Sequence, residues 1–180
     1  MIVSMINMLE IHDSYTKNHS KNVADLSAKI AEKMGLSKER VDKAYWAGII
    51  HDIGKTLIPY EILNNKEKLT DEEYNIIKKH PVYGYETLRD SKELRNVARY
   101  VKHHHERWDG IGYPDGLKKE EIPLISQILT VADTWDAMTS NRSYRKALSK
   151  EIAVEEIKKN KGTQFSPRVV DVFLNKLDIV

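Results

Sequence analysis

Histidine and aspartate recur in this 180-residue chain at positions where helical spacing calls for apolar side chains. The densest case is Ala47-Gly-Ile-Ile-His51-Asp52-Ile-Gly-Lys55. Val41, Ala44, Tyr45 and Gly48 precede it at steps of three and four, the period of a buried helix face, and one more turn places His51 and Asp52 on the same stripe. A carboxylate aimed into a core is costly unless a charge meets it, and a metal ion is the usual partner. The pattern repeats. His19 lies four before Val23, His80 three after Ile77, His104 and His105 three and four after Val101, and Asp133 four after Leu129, whereas His103 falls off its stripe. One core histidine bonded to a neighbour is ordinary. Five helical segments that each turn His or Asp inward point instead to shared ions. Nitrogen and carboxylate oxygen without thiolate suit iron or manganese better than structural zinc. The set is too large for one ion, and two ions sharing a carboxylate would use it all.

The elements that must position these groups read as helices nearly throughout, with no convincing alternating strand, so the fold class is all-α. The first helix carries Ile2, Met5, Ile6 and Leu9, a narrow stripe suited to an upstream connection or a homodimer contact. The second aligns Val23, Leu26, Ile30 and Met34 and stops at Gly35; the third holds the His51-Asp52 pair and is expected to end at Gly54. Thr56 to Leu63 reads as extended or irregular. Thr70-Asp-Glu-Glu73 is a capping box opening a helix with Tyr74 and Ile77 inward, and Pro81 breaks it near His80. A helix from Ser91 follows, then a glycine-rich polar loop from Glu106 to Glu121, a helix from about Leu124 to Ser140, and a basic segment from Asn141 to Lys146. Helices around 150–160 and after Ser166-Pro167 close the chain, with serine capping and proline at the first helical position. The organisation is a connector at 1–12 and one domain at 13–180.

Bulk properties exclude several classes. Lys+Arg of 29 against Asp+Glu of 27 gives a net charge of +2, which favours neither a nucleic acid polymer nor a membrane surface. The chain has no cysteine, which removes disulfides and thiolate chemistry and fits a cytoplasmic setting. No run is long enough to span a membrane.

The residue text resembles the HD superfamily of metal-dependent phosphohydrolases, and within it the HD-GYP subfamily. The matching stretches are Tyr15-Thr-Lys-Asn-His19-Ser, His51-Asp52-Ile-Gly-Lys55, His80-Pro81-Val-Tyr-Gly84, His104-His105-Glu106, Asp109-Gly-Ile-Gly112-Tyr113-Pro114 and Ala132-Asp133-Thr-Trp-Asp136-Ala-Met-Thr-Ser-Asn-Arg142-Ser-Tyr-Arg145. Their order and spacing cover about residues 13–175. The resemblance implies an all-helical bacterial phosphodiesterase that hydrolyses cyclic di-GMP to linear pGpG, with slow onward cleavage to GMP.

By position, the resemblance assigns His19, His51, Asp52 and Asp133 to a first metal and makes Asp52 the bridge to a second, completed by His80, His104 and His105. It gives Lys55 the scissile phosphate, and Arg142 and Arg145 the ligand's phosphates. Some relatives bind a third metal through a glutamate where this chain has Tyr15, so two ions are expected. Gly110, Gly112 and Gly116 permit tight turns that hold Tyr113 over the site mouth, and the resemblance links the Gly112-Tyr113-Pro114 loop to substrate and to docking of diguanylate cyclases. Asp136 is a candidate general acid by proximity in sequence, against a plainer role as a helix hydrogen-bonder. Two rivals stand beside this reading: the same chemistry on another cyclic dinucleotide such as cyclic GMP-AMP, and a signalling module that binds cyclic di-GMP or a cyclase without turnover.

Overall fold

The start of one helix and the end of the next are brought together by a tight link between them. Helix α1 (His19–Lys33) ends in a left-handed glycine, Gly35, at φ 75. Its amide donates to Glu32 O at 2.9 Å, and the Leu36 amide reaches back to Ala31 O at 3.1 Å. This pair of bonds is a Schellman stop. Helix α2 (Lys38–Ile50) then runs back along α1, so that residues near His19 face residues near His51. Gly48 lies against the backbone of Ala24, with no room for a β-carbon between the two helices.

The computed structural model describes residues 18–65, 67–141 and 146–177. The expected stripe at Ile2–Leu9, Tyr15, and the arginines Arg142 and Arg145 lie outside the described residues.

Helix α2 stops at Ile50, four residues before the expected Gly54, and the chain continues through His51 and Asp52 into a 3-10 turn at Ile53–Leu57. Gly54 acts there as a packing residue, because a β-carbon on it would overlap the backbone of His80 and Gly84. A short helix, α3 (Tyr60–Leu63), occupies part of the stretch expected to be extended or irregular. Pro59 at its N-cap, with φ −54, precedes a turn whose amides bond back to Pro59 O and Tyr60 O. Helix α4 (Asp71–Ile77) opens with the expected Thr70–Glu73 capping box. Tyr74, expected inward, is 49% exposed, because this short helix lies at the surface.

Helix α5 (His80–Leu88) begins at His80 with Pro81 in its first turn, and packs on the 3-10 turn and on α6 (Arg95–Lys102). Helix α6 starts at Arg95 rather than Ser91; residues from Ser91 to Leu94 form turns first. Helix α7 (Leu124–Thr139) is buried around most of its first half, from Ile125 to Ala132, and contacts α1, α2 and α6. Helices α8 (Lys150–Lys159) and α9 (Pro167–Lys176) cover it. Ser166 occupies the N-cap of α9 with Pro167 first in the helix, but its side chain makes no capping bond. The fold is all-α: among the described residues there is no strand, only an isolated bridge between Lys161 and Phe165. No described helix is long and apolar enough to cross a membrane.

Candidate metal centre

His51 leaves the end of α2, and its Nδ1–H donates to Gly48 O at 2.8 Å. His80 does the same with Ile77 O at 2.7 Å, and His104 with Val101 O at 2.6 Å. Each ring therefore spends one nitrogen on the carbonyl three residues earlier, which fixes the tautomer and turns Nε2 inward. In all three, Nε2 is buried and has no hydrogen-bond partner. One orphaned buried acceptor costs about 1–3 kcal/mol, so three in one place imply a ligand that accepts lone pairs.

These nitrogens sort into two groups. His19, His51 and Asp133 offer ligand atoms that all lie within 4.8 Å of one another, and so do His80, His104 and His105. Asp52 lies between the groups, with Oδ2 3.4 Å from His51 Nε2 and Oδ1 3.3 Å from His80 Nε2. Neither contact has hydrogen-bond geometry at the histidine. The structure thus brings together the six side chains of the two groups and sets Asp52 between them. Imidazole nitrogens and carboxylate oxygens held at these spacings fit divalent cations.

Burial and charge prepare the groups. Burial pushes the pKa of His80 down to about 3 and of His104 to about 4, and holds His105 well below its ordinary value. All three are neutral at pH 7, with lone pairs ready for a cation. Burial would raise the carboxyls of Asp52 and Asp133. Lys55 and His51 outweigh that for Asp52, and His19 and His51 for Asp133, so both stay ionised.

Around this core, Lys55 Nζ lies 2.7 Å from Asp52 Oδ2. The Tyr113 ring stacks on His105, with centroids 4.9 Å apart and planes 30° from parallel. His103, set aside because it falls off the stripe, is also buried but is engaged at both nitrogens, with Arg99 O and Asp115 Oδ2 each at 2.9 Å. Histidines 103–105 follow the end of α6 in a turn, where His104 and His105 stay together, with ring centroids 4.0 Å apart, and His103 turns away to Asp115.

Asp136 has a more particular task than a helix hydrogen-bonder. His19 Nδ1–H donates to its Oδ2 at 2.7 Å, while Oδ1 accepts from Asn22 and Ser140 at 2.8 and 3.0 Å. His19 Nε2 is left facing Asp133 Oδ1 at 3.3 Å. Burial lowers the His19 pKa, but bonds to Asp133 and Asp136 outweigh it and raise the value to about 10. A carboxylate on the far nitrogen of a ligand histidine orients the ring and increases its basicity. The signal available in the sequence was the spacing from Asp133 to Asp136, which places both near one face of α7.

The chain is also similar to known proteins. A family model described as an HD domain matches residues 3–169. The chain is 43% identical over 176 residues to a protein named cyclic di-GMP phosphodiesterase from Thermotoga maritima, covering 96% of this chain and 48% of that protein. It is 36% identical over 180 residues to a 3'3'-cGAMP-specific phosphodiesterase of Vibrio cholerae, covering 99% of this chain and 34% of that one. The chain therefore spans about half, or less, of the length of these relatives. A crystal structure of a cyclic GMP-AMP-specific phosphodiesterase from V. cholerae superposes with a TM-score of 0.71 at 20% identity, over 95% of this chain and 46% of that one. That likeness establishes the fold.

Proposed function

The chain belongs to the HD domain family, and from that premise we propose that it is a metal-dependent phosphodiesterase of the HD-GYP type that hydrolyses cyclic di-GMP to pGpG. The observation that carries the reading is the position of Asp52, with one carboxylate oxygen toward each of two histidine-rich groups.

In this reading His19, His51, Asp52 and Asp133 hold one divalent ion, and Asp52, His80, His104 and His105 hold a second. Iron or manganese suits the donor set, and Tyr15 in place of a carboxylate disfavours a third ion. Bound ions would lower the pKa of water and neutralise charge on the phosphodiester. The protein supplies the rest. Lys55, held beside Asp52, offers a cation to the phosphate oxygens as charge develops. Arg142 and Arg145 hold the ligand's phosphates. Tyr113, stacked on His105, forms a wall for the dinucleotide, and its loop presents Gly112-Tyr113-Pro114 to a diguanylate cyclase. The protein works in the cytoplasm, with residues 1–12 as an upstream connection or a homodimer contact and residues 13–180 as the enzymatic domain.

A second substrate is favoured by one comparison. The 36% identity to a 3'3'-cGAMP-specific phosphodiesterase makes cyclic GMP-AMP the competing ligand. The experiment is product analysis after iron- or manganese-loaded protein is incubated with each dinucleotide separately. Linear pGpG formed faster than the cyclic GMP-AMP product supports the proposal. Preference for cyclic GMP-AMP changes the substrate, and recovery of both ligands intact replaces the enzyme with a binding module.

A further inference from the structure

Glu106 directly follows His105 and is 1% exposed. Its carboxylate is spent on the main chain of the glycine-rich loop: Oε1 accepts the Asp115 amide at 2.7 Å, and Oε2 the Leu117 amide at 3.1 Å. The Tyr113 amide donates to His105 O at 3.2 Å. The Asp115 carboxylate in turn takes Lys102 Nζ at 2.7 Å and His103 Nε2 at 2.9 Å. Gly112 lies so close to this turn that a β-carbon would overlap the backbone of His105, Glu106 and Arg107. The segment from Tyr113 to Leu117 is therefore fastened to the turn from Lys102 to Glu106, and Glu106 holds two of its amides.

Two amide donors ask for two acceptors on one side chain. A carboxylate provides them; a carboxamide provides one, and aims its own N–H at the second donor. A buried amide left so is costly. The carboxylate is thus matched to this loop in a way that an isosteric neutral group is not.

We propose that Glu106 is a positioning residue for the substrate, fixing the Tyr113 ring against His105 by holding the Asp115 and Leu117 amides. The inference rests on the proposed phosphodiesterase reading. It assigns Glu106 no contact with the metals or the reacting atoms, and places its effect on substrate binding rather than on turnover.

The test is steady-state hydrolysis of cyclic di-GMP by manganese-loaded wild type, Glu106→Gln, Tyr113→Ala and the double variant. Metal content and amide hydrogen exchange are measured on the same samples. Glu106→Gln is expected to raise KM roughly 5- to 30-fold, the factor for one or two lost hydrogen bonds. kcat should stay within about twofold, metal per chain should not change, and exchange should quicken at Asp115 and Leu117 but not in α7. In the Tyr113→Ala background the same change should raise KM no further, because the ring it positions is gone. An unchanged KM overturns the inference, as does an additive effect in the double variant, or metal loss, which would make Glu106 a support for His104 and His105. Should Glu106→Gln fail to fold, Glu106→Asp, one methylene short of the second amide, is held to the same criteria. A wild type without turnover on cyclic di-GMP sinks the parent reading, whereas an active wild type with unchanged KM in Glu106→Gln sinks this inference alone.

Discussion

His19 and Asp136 are 117 positions apart in sequence and meet at 2.7 Å through Nδ1 and Oδ2. The contact orients a ring whose other nitrogen faces Asp133. Removing the carboxylate in Asp136→Ala should weaken metal binding at the His19–His51–Asp133 group by roughly 10- to 100-fold, the usual effect of losing such a support. Competition with a chelator checks this. Equal affinity for wild type and variant would remove Asp136 from the site.

Lys55 touches Asp52 but belongs to neither trio. Lys55→Ala should leave metal content unchanged and lower kcat roughly 10²- to 10³-fold, as when one preorganised donor to a developing charge is lost. Metal analysis beside kinetics separates the two effects. Loss of metal in Lys55→Ala would make the lysine a structural counter-ion instead.

The metal-free protein should be most stable near pH 6.5. Burial holds the folded-state pKa of His80 at about 3 and of His104 at about 4, against 6.5 when unfolded. Between about pH 4 and 6.5 the unfolded chain binds more protons, so stability falls as pH drops. His19 behaves oppositely. Burial works against its charge, yet its two carboxylate partners raise the folded-state pKa to about 10. The stability this contributes is fully present below pH 6.5 and is lost as pH rises toward 10. Thermal denaturation of chelator-treated protein measures both limbs. His19→Gln should remove the alkaline decline, and an unaltered alkaline limb in that variant would contradict the assignment.

Gly54 is required by space. Its missing side chain lets the turn after Asp52 lie against His80 and Gly84. Gly54→Ala should destabilise the protein by about 1–3 kcal/mol through overpacking, read as a lowered Tm and denaturation midpoint. Because the clash falls on the carbonyl of His80, metal affinity should fall with it. A Tm equal to that of wild type would mean the two segments move apart freely.

Much of the core was legible because helical period reports which way a side chain points. The stripes through Val23, Val101 and Leu129 put His19, His104, His105 and Asp133 inward, and the structure places them in the two groups on either side of Asp52. Period says nothing about partners. Asp136 meets His19 only because α1 and α7 come together, and Glu106 meets the Asp115 and Leu117 amides only through the way the loop after α6 folds back on itself. Nor does the stripe rule separate His103 from its neighbours by burial: all three follow the helix end, and His103 is buried against Asp115 instead. Period is a weaker guide in short helices and at helix ends. Tyr74 points outward from a seven-residue helix, and the stretch after Thr56, expected to be extended or irregular, includes a single helical turn at Tyr60–Leu63.

The central claim is that Asp52 joins two metal sites. Its most direct test is metal stoichiometry by elemental analysis of wild type and Asp52→Ala, purified under the same loading conditions. Two ions per chain in the wild type and loss of both in the variant are predicted, because each trio would be left without its shared oxygen. A variant that keeps two ions and full activity would contradict the bridge.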